Sequence, residues 1–447
     1  MASALSYSLP GKRRLPPGPP LPSIAQTLAC AVRPLPALDW CRSRYGAQFT
    51  IYPVDMPPLV FLSGRQDIRS VLMAAPDTLH PGAGAAMLAP VVGESSFMLR
   101  DEEEHLPGRR VASRGFRRET LKAHAHLLFD LVEREIHTWP CETPFPLHPR
   151  LRSLTLNVAM RTVFGEETPG LKDLHTMMLQ MLSITAGPAL SAPWLRPLPG
   201  CRQSWKRFLR QRHEVEQRLL ATIAHARRKD TPGESILDLL LQARNSDGAP
   251  MSDQQIHAHL VSVLLAGHET TASELAWAFQ LLAHNPDVQD RLIEEIDDED
   301  GGAGAYLSAT VSEVLRRRPV FLFAIPRVVS APIQIGDWTY EPPAQLLGCI
   351  YLMHHDPELY PNPHSFQPER FLNSPPQAET WLPWGGGRKR CPGSHLATLE
   401  IEAVLKATLS KRTVAPVPGA RMEHARWRSV IVTPHAGSRV TLHKRRP

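Results

Sequence analysis

The sequence predicts a mainly helical protein with small β-sheets (α+β), on three observations. Apolar residues recur at spacings of three and four over most of the chain between about Arg100 and Arg318. One such stretch, opening at Ser252, runs to His284 before a proline interrupts it. Short alternating segments broken by prolines are confined to the region before Leu62 and the region after Pro319.

With 447 residues and 43% apolar content, the chain can bury a large core. Charged residues make up 21% without long single-sign blocks, which excludes wholesale disorder. A net charge of +6 favours an acidic partner, and the scattered arginines are not interleaved with aromatics as a nucleic-acid surface would require. Cys30, Cys41, Cys141, Cys201, Cys349 and Cys391 are widely spaced, with no CxxC pair. This usage suits the reducing cytoplasm and speaks against a disulfide framework or a tetrahedral zinc site. The apolar stretch Ile24 to Val32 is too short to cross a bilayer. We therefore expect a cytoplasmic, monomeric protein: residues 1–14 a flexible leader, residues 15–447 a single domain.

Taken in order, Leu15-Pro-Pro-Gly-Pro-Pro20 forbids helix and favours extended chain. Alternation from Gln48 to Leu62 predicts a strand pair turning near Pro57-Pro58. Leu151 to Phe164, Trp205 to Arg228 and Ser235 to Ala243 carry helical spacing. Ser252 and Gln255 form a capping-box pattern at the head of the long helix, whose apolar middle makes it central. Asn285 is assigned as the cap of the next helix, with Pro286 at its first position. A further helix carries Leu307, Val311 and Leu315, and Pro319 ends it. Residues 321–350 read as short strands, and a last helix follows Pro392-Gly393. Val430 to Leu442 is strand-like, and no internal repeat is found.

Chemistry concentrates in Trp384-Gly-Gly-Gly-Arg-Lys-Arg-Cys391-Pro-Gly393. A thiolate bound to a metal needs backbone amides close to the sulfur, which glycines permit, and a helix N-terminus just beyond Cys391 adds to the effect. Arg388, Lys389 and Arg390 are placed to meet carboxylates of a macrocycle. A second segment, Ala266-Gly267-His268-Glu269-Thr270-Thr271, lies midway along the long helix, where Gly and Thr weaken helical bonding and open a groove. His268-Glu269 is no metalloprotease motif, because Ala272 stands where the second histidine belongs.

These segments resemble the cytochrome P-450 family. Its haem-loop pattern, Phe-x-x-Gly-x-Arg-x-Cys-x-Gly, matches at Gly387, Cys391 and Gly393, with Trp384 for the Phe and Lys389 for the Arg. The resemblance covers about Pro16 to the C-terminus and implies a triangular helical prism with the long helix over the haem. It implies haem b (iron protoporphyrin IX) with Cys391 as axial ligand to the iron. His105, Arg109, Arg327 and Lys389 would contact the propionates, Thr270 would hydrogen-bond oxygen at the haem, and Glu269 would relay protons. Glu313, Arg316 and Arg370 would form a buried ionic network. These motifs fall along the chain in the family's order.

The implied activity is oxygen insertion, by hydroxylation or epoxidation, into a hydrophobic small molecule of terpenoid, fatty acyl or polyketide kind. Apolar stretches at Met87 to Val92, Leu264 to Ala266, Val320 to Ile325 and Ile431 suit such a substrate. Electrons would come from a separate ferredoxin or flavodoxin-type donor with its reductase, docked on Arg110, Arg114, Arg117, Arg118, Arg388 and Arg390. A peroxygenase or isomerase on the same fold and a non-catalytic haem sensor are the alternatives. His257 and His259 lie on different helix faces, and His354-His355 read as solvated loop residues. Gly82-Ala-Gly84 and Gly302-Ala-Gly304 lack the third glycine of a dinucleotide fingerprint.

Overall fold

The computed structural model describes residues 15–445 apart from 118, 120–124, 166–167, 169, 188–191, 229–232 and 299–303. The leader at 1–14, Arg118 and the first two residues of Gly302-Ala-Gly304 lie outside the described residues.

The helix Asp253–Ala283 is the axis of the fold. Both arms of its capping box form: Ser252 Oγ accepts from the Gln255 amide at 3.2 Å, and Gln255 Oε1 accepts from the Ser252 amide at 2.9 Å. Its 31 residues span roughly 46 Å at 1.5 Å each. From Thr271 to Ala283 every residue is buried, as expected for a helix wrapped on all sides. Helix His148–Phe164 packs along it, and helices Pro199–Ala226, Ala305–Arg317 and Ser394–Leu409 surround it. The main core is built on this axis, with Trp277 and Phe279 fully enclosed.

Asn285 does not cap the next helix with its side chain. Its Nδ2 turns back and donates to the Leu281 carbonyl at 2.7 Å, closing the end of the central helix instead. Pro286 does occupy the first position of helix Pro286–Asp297.

A five-stranded sheet has its own smaller core around Val60, Leu62, Ile68, Tyr340 and Leu346. Its order is Gln48–Ile51, Leu59–Leu62, Gln345–Gly348, Arg327–Val329, Leu79–His80, with one parallel pair, Leu59–Leu62 on Gln345–Gly348. The hairpin Ala425–Arg428 and Ile431–Pro434 packs against the central helix. Strand Arg439–Lys444 joins Arg412–Pro416 on one side and Phe145–Pro146 on the other. None of the helices among the described residues is long and apolar enough to cross a membrane.

His354 and His355 are not solvated. Helix Ile350–His354 tucks both inside, where His354 Nε2 accepts from the Leu382 amide at 2.9 Å and the His355 ring packs at a tilt on Tyr351, centroids 4.3 Å apart. Local sequence carried no sign of the chain that folds over them.

Candidate active site

The loop from Trp384 to Gly393 is built on two left-handed glycines, Gly385 (φ +64°) and Gly387 (φ +62°). A Cβ on Gly387 would run into the Leu72 carbonyl, so both dihedral and space demand glycine there. The Cys391 amide closes the loop by donating to the Trp384 carbonyl at 2.8 Å. Burial pushes the Cys391 thiol up, against which the Gly393 amide and the Arg109 and Arg390 charges act. Helix Ser394–Leu409 starts three residues beyond the sulfur.

Cys391 and the middle of the central helix line one cavity of about 280 Å³. Ala266, Gly267, Thr270 and Thr271 contribute from the helix; Trp384, Gly386, Pro392 and Gly393 from the loop. The helix runs unbroken through this segment. Thr270 Oγ1 donates to its own turn, to the Ala266 carbonyl at 2.6 Å. Most of the remaining lining is apolar, with Leu182, Val263, Leu265, Phe321, Ala324 and Ile431 among them.

His105, Arg109, Arg327 and Lys389 converge on the same cavity. Among the described residues none of the four has a carboxylate within ion-pair distance. Arg109 donates to the Arg390 carbonyl at 2.6 Å, and Arg327 to the Ile325 carbonyl at 2.6 Å. Lys389 Nζ reaches the carbonyls of Phe97, Met98 and Arg100. Burial holds Arg327 down to about 10 and Lys389 down to about 8. Burial, then Lys389, Arg109 and Arg388, lower His105 to about 3, and its buried Nε2 has no hydrogen-bond partner among the described residues.

Glu269 faces a different environment. Its carboxylate accepts from Arg152 Nε and Arg428 Nε, each at 2.6 Å, with His148 Nε2 at 3.4 Å and His268 Nε2 at 3.5 Å. Burial pushes Glu269 up, but Arg152, His268, Arg428 and His148 together hold it below the usual carboxylate range.

Behind the loop, Arg316 and Glu313 form a fully buried bidentate pair at 2.7 and 2.8 Å. Arg316 also donates to the carbonyls of His354, Pro363 and Ser365. Arg370 Nε lies 3.5 Å from Glu313, and its Nη2 holds Asn362 and Gln367. The meander is thus tied to helix Ala305–Arg317 by one cluster.

Sequence reasoning missed two buried acids lining the cavity, Glu274 and Glu400. Burial raises both well above the usual range; Glu274 accepts from the Val320 amide at 3.1 Å, and Glu400 has no hydrogen-bond partner among the described residues. It also missed Arg152 and Arg428, which come from elements far from Glu269 in sequence. Only the helical phase of Glu274, one turn beyond Thr270, signals its place.

A half-buried sulfur sharing one cavity with a hydroxyl-bearing helix and a cationic end without an ion pair is the layout of a haem-thiolate oxygenase. Comparison with known proteins agrees. Residues 16–442 match the family model for cytochrome P450. Cytochrome P450 135B1 of Mycobacterium bovis is 31% identical over 443 residues, covering 97% of this chain and 92% of that one. Cytochrome P450 137 of Mycobacterium tuberculosis is 31% identical over 406 residues, covering 90% and 84%. Among solved structures, retinoic acid-bound cyanobacterial CYP120A1 superposes with a TM-score of 0.82 at 23% identity, covering 97% of this chain and 100% of that one. The heme domain of cytochrome P450DA gives 0.83 at 18% identity, covering 97% and 98%. The chain belongs to the cytochrome P450 family and is a P450 monooxygenase.

The residues present fit a haem. The cavity lies between a cysteine and a small-residue helical wall, and its cationic end forms no ion pair among the described residues, Asp101 acting on Arg327 and Lys389 only from beyond pairing distance, which suits a group with two carboxylates. A buried thiol pushed up by desolvation becomes a thiolate once a metal binds it.

Proposed function

We propose that the chain holds haem b through Cys391 as the axial ligand to iron, with His105, Arg109, Arg327 and Lys389 toward the propionates. It hydroxylates or epoxidises a hydrophobic molecule of terpenoid, fatty acyl or polyketide kind. A separate ferredoxin or flavodoxin-type protein, with its reductase, supplies the electrons. The observation that carries this reading is the single cavity that brings Cys391, Thr270, His105 and the three cations Arg109, Arg327 and Lys389 together.

Bound there, the haem supplies activation of dioxygen and insertion of one oxygen atom. The protein's share is shape and protons. Apolar walls exclude water and favour a hydrophobic ligand. Thr270 Oγ1, while donating to the Ala266 carbonyl, keeps lone pairs free to accept a hydrogen bond at the cavity. Glu269 is ionised between Arg152 and Arg428, so to pass a proton from solvent its carboxylate must leave one of them. Lys389 supports the loop by capping three carbonyls of residues 97–100, and its charge remains beside Arg327.

Replacing Cys391 with Ser tests the assignment. The purified variant is expected to lose the thiolate-type carbon-monoxide spectrum and turnover. Retention of both would overturn it.

A further inference from the structure

We infer that Arg428 is the anchor for a carboxylate on the hydrophobic molecule the cavity takes; this rests on the monooxygenase reading of that cavity.

The cluster around Glu269 is unbalanced. Two guanidinium groups, Arg152 and Arg428, share one carboxylate. The neighbouring histidines do not alter the count, because burial lowers His148 and His268 each to about 4 and leaves them neutral at pH 7. One positive charge is left over in a largely buried place, and such a charge gains from an anion.

Arg428 carries that surplus on the cavity side. Arg152 is the more enclosed, at 13% side-chain exposure against 25%, and its Nη2 is engaged with Ser183 Oγ at 3.3 Å. Arg428 gives only its Nε, to Glu269, so its two Nη groups have no partner among the described residues. They are the pair of donors that a carboxylate can grip in parallel. Arg428 pairs with Ile431 across a two-residue turn in which Ser429 adopts a φ of +58°. That turn puts Arg428, Ser429, Val430 and Ile431 on the cavity lining together, to which Leu182 and Thr185 also belong. A cationic fork at the edge of an apolar wall matches an amphiphile with an acidic end.

This cluster is distinct from the His105, Arg109, Arg327 and Lys389 group, which comes from other elements. The other acids of the lining do not compete for Arg428: Glu274 is tied to the Val320 amide, and Glu400 forms no ion pair.

The test uses the haem-loaded enzyme in its oxidised resting state, without reductant, titrated with dodecanoate, 1-dodecanol and dodecyltrimethylammonium, a cation with no lone pair to offer the iron. The iron spin-state shift reports binding. Dodecanoate is expected to bind at least about tenfold tighter than dodecanol, the scale of a charge-assisted hydrogen bond. Arg428→Gln should abolish that preference while leaving dodecanol within about twofold. Arg428→Lys, which keeps the charge but not the fork, should retain part of it and serves if the Gln variant does not fold. Equal binding of acid and alcohol, tightest binding of the quaternary ammonium, equal loss of both in the variants, or no shift with dodecanoate each overturns the inference. The carbon-monoxide spectrum is recorded first on every protein. A wild type without a thiolate-type spectrum counts against the haem-thiolate reading; a normal spectrum with no acid preference counts against Arg428 alone.

Discussion

Glu269 and Thr270 are neighbours on the central helix, yet their bonding states are opposite. The carboxylate has two arginine donors and two histidines around it, whereas the hydroxyl holds one bond to its own helix. Losing the Thr270 hydroxyl therefore breaks no tertiary contact. Thr270→Ala should fold and bind substrate normally, yet form several-fold less product per electron consumed. Unchanged product per electron, measured against cofactor oxidation and peroxide release, would remove Thr270 from proton delivery. At this scale Cys391 and Thr270 stood out in the sequence, because short motifs surround them. The clamp on Glu269 was invisible there, since Arg152 and Arg428 carry no local signature and meet it only through folding.

Among the elements, helix Ala305–Arg317 does most to hold the site from behind. Arg316 is fully buried, and its donors reach Glu313 and three carbonyls of the chain that leads to the cysteine loop. Arg316→Ala would leave Glu313 charged and buried, held only by the Gln367 amide at 3.0 Å and the 3.5 Å approach of Arg370, at a cost of about 3–5 kcal/mol. The expected result is a large drop in the urea midpoint and poor haem retention; a midpoint matching wild type would sink the claim. The Glu-x-x-Arg spacing made one helix face legible, but burial could not be read from it, since the same spacing serves surface pairs. Periodicity also located the central helix, where polar caps and apolar repeats agree. The interior position of His354 and His355 depended on the meander folding across them, a long-range event with no local trace.

Over the whole molecule, charge is arranged as well as atoms. Helix Leu106–Gly115 and the cysteine loop are joined by the Arg109 bond to the Arg390 carbonyl. Arg110, Arg114, Arg117, Arg388 and Arg390 on these two segments are all exposed. If an acidic donor docks there, its reduction rate should fall steeply between low and physiological salt, because screening acts on exposed charges. Stopped-flow reduction indifferent to ionic strength would rule the surface out. The fold class was legible because helical period, breakers and proline-broken strands all pointed one way. The sheet order was not, because strands as far apart as Leu59–Leu62 and Gln345–Gly348 pair through contacts that no local pattern encodes. Strand Arg439–Lys444 shows the same distance in another way, since it pairs with Phe145–Pro146 beside the start of helix His148–Phe164. During synthesis that early edge must wait, unpaired on this side, until residue 440 has left the ribosome, so an amino-terminal part of the fold is completed by one of the last segments described.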